Sequence, residues 1–225
     1  MAIDFGSVHA LTVELHGGFF ALAFFAIVVA FICVMVLRFS KNPEGGAAKW
    51  FSKVGAYMDA AGLLAAISGV LLLIISAITG MLADPLNALM DEPLVLNKIL
   101  LSLVALFIWG GLVFIRAVLG RKLWTFPWAA LLYTIFAAVG FVLVLTVIAL
   151  GFTLVDGGSV LDPLWNFFGI DLTEELAVTV EDGMALLVVS IILILASLGA
   201  AWKYRLGTKV VKSDPKESKW KVPKI

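Results

Sequence analysis

The chain has 225 residues, 62 % of them hydrophobic and only 14 % charged, and its 16 basic and 16 acidic residues cancel to zero net charge. A soluble domain carries about a quarter charged residues, so a soluble fold is excluded, and no nucleic-acid partner is expected. The apolar residues gather in blocks of the roughly 20 residues a helix needs to cross a bilayer, which predicts an all-α integral membrane protein.

Five transmembrane helices are predicted, over about residues 10–37, 57–82, 94–119, 127–154 and 183–202, followed by a basic tail over 207–225. The blocks are continuous rather than alternating. Backbone groups in hydrocarbon must be satisfied within one segment or in a closed barrel, so these are helices. The first block lacks a basic start, and Asp4 and Glu14 flank it, so it reads as a retained span rather than a cleaved signal peptide. It holds both histidines of the chain, His9 and His16, and the only cysteine, Cys33, whose depth makes it inert packing. Helix two carries a stripe of small residues, Gly62, Ala66, Gly69, Ser76 and Gly80, at three- and four-residue steps. Such stripes let membrane helices approach closely. After it comes "ADPLNALM", and after helix four "LDPLWNFF". In each, an Asp before a Pro (Asp84–Pro85, Asp162–Pro163) opens a short interfacial helix. Ala66, Gly69, Leu72 and Gly80 match Ala137, Gly140, Leu143 and Gly151 at a constant offset of 71. The match suggests a duplicated hairpin, helices two plus three beside four plus five.

Charge sets the orientation. Fifteen of the 16 basic residues fall between helices one and two, between three and four, or after five, and only Lys98 falls on the other side. The positive-inside rule makes the basic side cytoplasmic, the amino terminus external and the location the plasma membrane. Twelve acidic residues collect outside, which reads as ordinary topology with a solvated acidic surface. The tail is expected near anionic headgroups or a partner subunit.

The candidate chemistry sits at the outer end. Seven residues bring His16 to within about 20° of His9 and roughly 10 Å along the axis, so both imidazoles share a face with Thr12 and Phe20, while Glu14 faces away. Two side chains on one face cannot take opposite axial positions, so a bis-histidine haem within one protomer is disfavoured. A His/Met haem, with Met81 or Met184, stays open, as does a copper-type metal site of His9, His16 and Met90, a quinol headgroup contact, or simple hydrogen bonding at the interface. Asp59 and Arg116 match in depth at the inner end and read as an interfacial ion pair rather than a proton relay. Asn97 and Lys98 open helix three at the depth of the histidines.

Four segments, "VELHGGFFALAFF", "AGLLAAISGVLLLIISAITGMLAD", "NKILLSLVALFIWGGLVFIRAVLGR" and "VIALGFTLVDGGSV", carry a resemblance. Over residues 9–160, helices one to four, the chain resembles a family of small multi-helix membrane proteins, known mainly as a transmembrane domain of unknown function and found in redox and respiratory settings. The resemblance implies a histidine-bearing first helix, with haem b the candidate cofactor. It also implies a histidine opening the third helix across that haem, and here the position is Asn97.

The expected function is a multi-pass membrane subunit of an energy-converting or electron-transfer complex. It would hold a haem, metal or quinol at its outer face against lipids and other integral membrane subunits, and would not be catalytic alone. The alternatives are a structural or assembly subunit without cofactor and a small permease. The permease is disfavoured because the spans hold no chain of carboxylates and no paired broken helices.

Overall fold

The computed structural model describes residues 4–42, 44–83, 93–159 and 161–169, with three isolated helical positions beyond them. Four long helices follow one another: α1 (Phe5–Phe39), α2 (Gly46–Ala83), α3 (Pro93–Leu119) and α4 (Pro127–Asp156). A 3₁₀ turn (Gly120–Thr125) joins α3 to α4, and a short α5 (Asp162–Phe167) follows. All four long helices are long and apolar enough to cross a membrane. The expected fifth span, the "ADPLNALM" helix, Met90, Met184 and the tail lie outside the described residues.

The boundaries follow local chemistry. Asp4 caps α1 by accepting from the Gly6 amide at 3.1 Å and the Ser7 hydroxyl at 2.5 Å. Its carboxyl is held below the usual range, first by the Ser7 hydroxyl and then by backbone amides. α2 begins at Gly46, eleven residues before the expected apolar block, because the polar stretch through Lys49 and Lys53 continues as helix with those side chains exposed. Gly120, at φ +55°, is the left-handed residue that turns α3 into the 3₁₀ segment. Pro127 then opens α4, which ends on Gly157 at φ +74°. Within the spans, hydroxyls bond back to their own helix: Thr12 to Val8 and His9, Thr79 to Ile75 and Ser76, Ser102 to Lys98, Thr146 to Val142. Hydrocarbon offers them no water, so this is how they are satisfied.

α1 packs along the small-residue stripe of α2. Opposite Gly55 lies Cys33, opposite Gly62 lie Ala26 and Ile27, opposite Gly69 the ring of Phe20, and opposite Gly80 the ring of His9. A Cβ added at Gly69 would stand 2.7 Å from Phe20, far inside contact distance. α4 packs on α3 in the same way, with Gly140 against Trp109 and Gly151 against Lys98.

These contacts define a repeat. His9 and Lys98 are 89 positions apart, and so are Phe20 and Trp109; Gly80 and Gly151 are 71 apart, and so are Gly69 and Gly140. Two of the glycine contacts of the α1–α2 hairpin, those of Gly69 and Gly80, therefore have counterparts in the α3–α4 hairpin. Phe20 and Trp109 stack on each other at the bundle centre, ring centroids 4.8 Å apart. α1 and α3 run in the same direction, which relates the halves by a pseudo-twofold axis along the bundle. Among the described residues the glycine stripes of α2 and α4 each receive the helix that precedes them; the expected pairing of helices two–three with four–five involves the fifth span, which lies outside the described residues.

The core joins Phe20, Ala23, Ile27 and Ala30 of α1, Ala65, Ala66 and Leu73 of α2, Trp109 and Leu112 of α3, and Ala130, Tyr133, Ala137 and Val144 of α4. Outside, Leu22, Phe25, Leu64, Leu71, Ile78, Leu132 and Phe136 are exposed, the apolar coat that a lipid solvent requires. Exposed aromatics mark the two rims: Phe5, Phe152, Phe167 and Phe168 at the histidine end, and Trp50, Tyr57, Phe126 and Trp128 at the other.

Candidate functional site

At one end of the bundle, three residues of α1 form a polar strip. His9 is half-buried, with Nδ1 2.8 Å from the Ser76 carbonyl of α2. A carbonyl only accepts, so Nδ1 carries the hydrogen, and the Ser76 hydroxyl lies 3.3 Å from the same nitrogen. Gly80 makes the slot for this ring, since any Cβ there would meet it at 3.0 Å. Thr12 is buried and sends its hydroxyl to the His9 carbonyl at 2.8 Å. Its own carbonyl accepts from Nδ1 of His16 at 2.9 Å.

That last bond decides what His16 can do. With Nδ1 donating, Nε2 presents a lone pair. His16 is 2 % exposed, and its Nε2 is buried with no hydrogen-bond partner. The Phe20 ring stands edge-on to it, centroids 6.2 Å apart. Lys98 reaches its ammonium in from α3, over Gly151, near enough for its charge to act on the His16 ring. Asn97 is buried beside it in sequence. This end of the bundle therefore offers one buried, unpaired acceptor on His16 and one cationic donor on half-buried Lys98.

The two histidines share the inward side of α1 and Glu14 is exposed, as their spacing requires, yet their roles differ. His9 uses Nδ1 to tie α1 to α2, whereas His16 uses Nδ1 within α1 and buries an Nε2 that has no hydrogen-bond partner. Met81, expected as an axial ligand, is 53 % exposed. It follows Gly80, which faces His9, so the turn of the helix carries Met81 away from the imidazoles toward lipid. Met90 and Met184 lie outside the described residues. Among the described residues no group of three or more His, Cys, Asp or Glu is arranged to hold a metal ion.

At the opposite end, Asp59 of α2 and Arg116 of α3 form the ion pair expected from their depth, and both side chains are buried between the helices. Arg116 Nε donates to Oδ1 at 2.6 Å, Nη2 donates to Oδ2, and the indole of Trp124 adds a third bond to Oδ1 at 2.8 Å. Trp124 in turn stands edge-on to Tyr133 of α4, centroids 5.9 Å apart. Every charge is matched, so the cluster is a clamp between the hairpins. Trp124 gave no sequence signal beyond being an aromatic in a basic turn; its part is set by the 3₁₀ segment that folds it back over α2. The pseudo-symmetry counterparts of Asp59 and Arg116 are Ala130 and Ile27, both buried and apolar. One side of the axis is clamped by charge and the other by plain packing.

Comparison of the chain with protein-family models, with curated proteins and with solved structures finds no match to any of them.

Proposed function

We propose that this chain is a multi-pass subunit of an electron-transfer or energy-converting complex of the plasma membrane, its amino terminus external, and that it holds a quinol at the His16 level. The observation that carries the reading is the buried, unpartnered Nε2 of an imidazole already oriented by the Thr12 carbonyl. A histidine that ligates or hydrogen-bonds a bound group characteristically has its other ring nitrogen fixed in this way. Nε2 accepts the hydrogen of a quinol hydroxyl, and Lys98 supplies a charge-assisted donor to a quinol oxygen. A haem b is a poorer fit among the described residues, because Met81, expected as its axial ligand, turns away. A scaffold subunit without cofactor is the second reading, favoured by the polar locks at both ends, His9 on Ser76 and Asp59 on Arg116.

The test is chemical. Protein extracted in mild detergent from its native membrane is assayed for bound quinone by solvent extraction, and its oxidised and dithionite-reduced spectra are recorded. The quinol reading expects bound quinone in the wild type and about tenfold weaker retention in His16→Leu, the loss of one good hydrogen bond. A Soret band would replace quinol by haem. With no quinone, haem or metal on the wild type, the scaffold reading stands.

A further inference from the structure

A second binding feature lies at the end away from the histidines. Between α1, α2 and the 3₁₀ turn runs a shallow, open crevice bordered by Cys33, Val34, Leu37, Phe51, Ala56 and, at its mouth, Arg121. Its walls are apolar save for Ser52, Asp59 and Arg121. The Asp59 carboxylate is already saturated by Arg116 and Trp124, so it adds no net negative charge. Arg121 is exposed, and no carboxylate among the described residues pairs with it. The surrounding surface reinforces its sign: among the described residues Arg38, Lys41, Lys49, Lys53 and Lys122 lie at this end, against Glu44 as the one acid not paired within the bundle. Exposed Trp50, Tyr57, Phe126 and Trp128 place this level at the membrane–water boundary, where lipid phosphates lie.

We infer that this crevice is a binding site for an anionic phospholipid, its phosphate on the Arg121 guanidinium and an acyl chain along the seam between α1 and α2. Three observations meet here. An unpaired guanidinium suits a phosphate through parallel N–H donors. The apolar walls below it suit hydrocarbon. Basic pockets between spans on the positively charged side of a membrane protein are where anionic headgroups collect. Gly120 is part of the device, because its left-handed backbone turns the chain so that the next residue, Arg121, returns over the crevice.

The full chain, delipidated in detergent, is titrated with phosphatidylglycerol or phosphatidylcholine, and bound lipid is counted by native mass spectrometry. One phosphatidylglycerol is expected to bind in preference to phosphatidylcholine. Arg121→Gln should weaken that binding about tenfold, as expected for removing one charge-assisted hydrogen bond, and abolish the preference. Ala56→Phe, which keeps the charge and fills the crevice, should weaken both lipids. Lys122→Gln removes a neighbouring charge that does not border the crevice and should leave the preference intact. Equal binding of the two lipids overturns the site, as does an equal loss in Lys122→Gln and Arg121→Gln, which would make the attraction a diffuse surface effect. Free glycerol phosphate that displaces the lipid at equal concentration would also overturn it, since the acyl chain would then contribute nothing. Arg121 is exposed, so its variant keeps the fold, and thermal unfolding of the lipid-free variants verifies this.

Discussion

Single side chains in this bundle act according to whether their polar atoms are matched. Asp59 brings two carboxylate oxygens into the interior and finds three donors there, from Arg116 and Trp124, so its burial is compensated. His16 buries a nitrogen that finds none, as do the indoles of Trp109 and Trp165; of these three atoms the imidazole nitrogen is the acceptor, open to a ligand's donor. The difference has a measurable consequence at Asp59. Asp59→Ala strands the Arg116 guanidinium in the interior and should destabilise the protein by about 3–5 kcal/mol, the usual cost of breaking a buried pair from one side. The double variant Asp59→Ala/Arg116→Ile copies the apolar counterparts Ala130 and Ile27 and should recover most of that loss. Thermal unfolding of both in detergent checks it; a double variant as unstable as the single one would mean that the clamp stabilises beyond charge matching.

Helices here approach through glycine, and each element's face was chosen by where a methyl group is forbidden. Gly69 and Gly140 occupy equivalent positions of the two hairpins, and an added Cβ would stand 2.7 Å from Phe20 in one case and 2.9 Å from Trp109 in the other. Phe20 and Trp109 are stacked on each other, so neither ring can retreat alone. Gly69→Ala and Gly140→Ala should each cost about 1–3 kcal/mol through overpacking. Gly18, on the same helix as Phe20, faces open space, and Gly18→Ala should be neutral or slightly stabilising through helix propensity. Denaturation midpoints of the three variants decide it, and equal effects at all three positions would sink the close-approach account. Helix length belongs to this scale too. α2 runs 38 residues, far beyond the roughly 20 a bilayer needs, since its first turns lie outside the apolar block.

At the scale of the whole molecule, two antiparallel hairpins meet about a pseudo-twofold axis and then diverge in chemistry. The α1–α2 hairpin holds His16 where the other holds Ala105, and contributes Asp59 where the other has Ala130. Function, on this view, resides in the departures from symmetry, with the shared glycine contacts supplying the frame. The proposed orientation is tested by a bulky, membrane-impermeant thiol reagent applied from outside to intact cells. Asp4→Cys, exposed before α1, should be labelled, and Lys49→Cys, exposed at the other end, should not. The native Cys33 is buried between α1 and α2 and should stay unmodified in both. Reversed labelling would invert the topology and with it the sides assigned to quinol and phospholipid.

The sequence by itself determined the membrane class, the four described spans, the shared face of His9 and His16, and the pairing of Asp59 with Arg116. All of these rest on one-dimensional quantities: block length, helical period and depth along a span. It could not distribute roles among residues at one depth. His9 and His16 are alike in type and face, and only the structure shows that one donates across to Ser76 of α2 while the other donates to Thr12 of its own helix and buries its Nε2 without a partner. Met81 illustrates the same limit, being at the right level but turned outward by its place after Gly80. The duplication was visible in α2 and α4 as an offset of 71, but its true partners, His9 with Lys98 and Phe20 with Trp109, share no residue type. Contact geometry equates them because the glycine opposite each demands a large side chain, whatever its chemistry. Tertiary structure therefore decided the repeat, the clamp's third member Trp124 and the crevice under Arg121, all of which depend on which helix lies across from a residue.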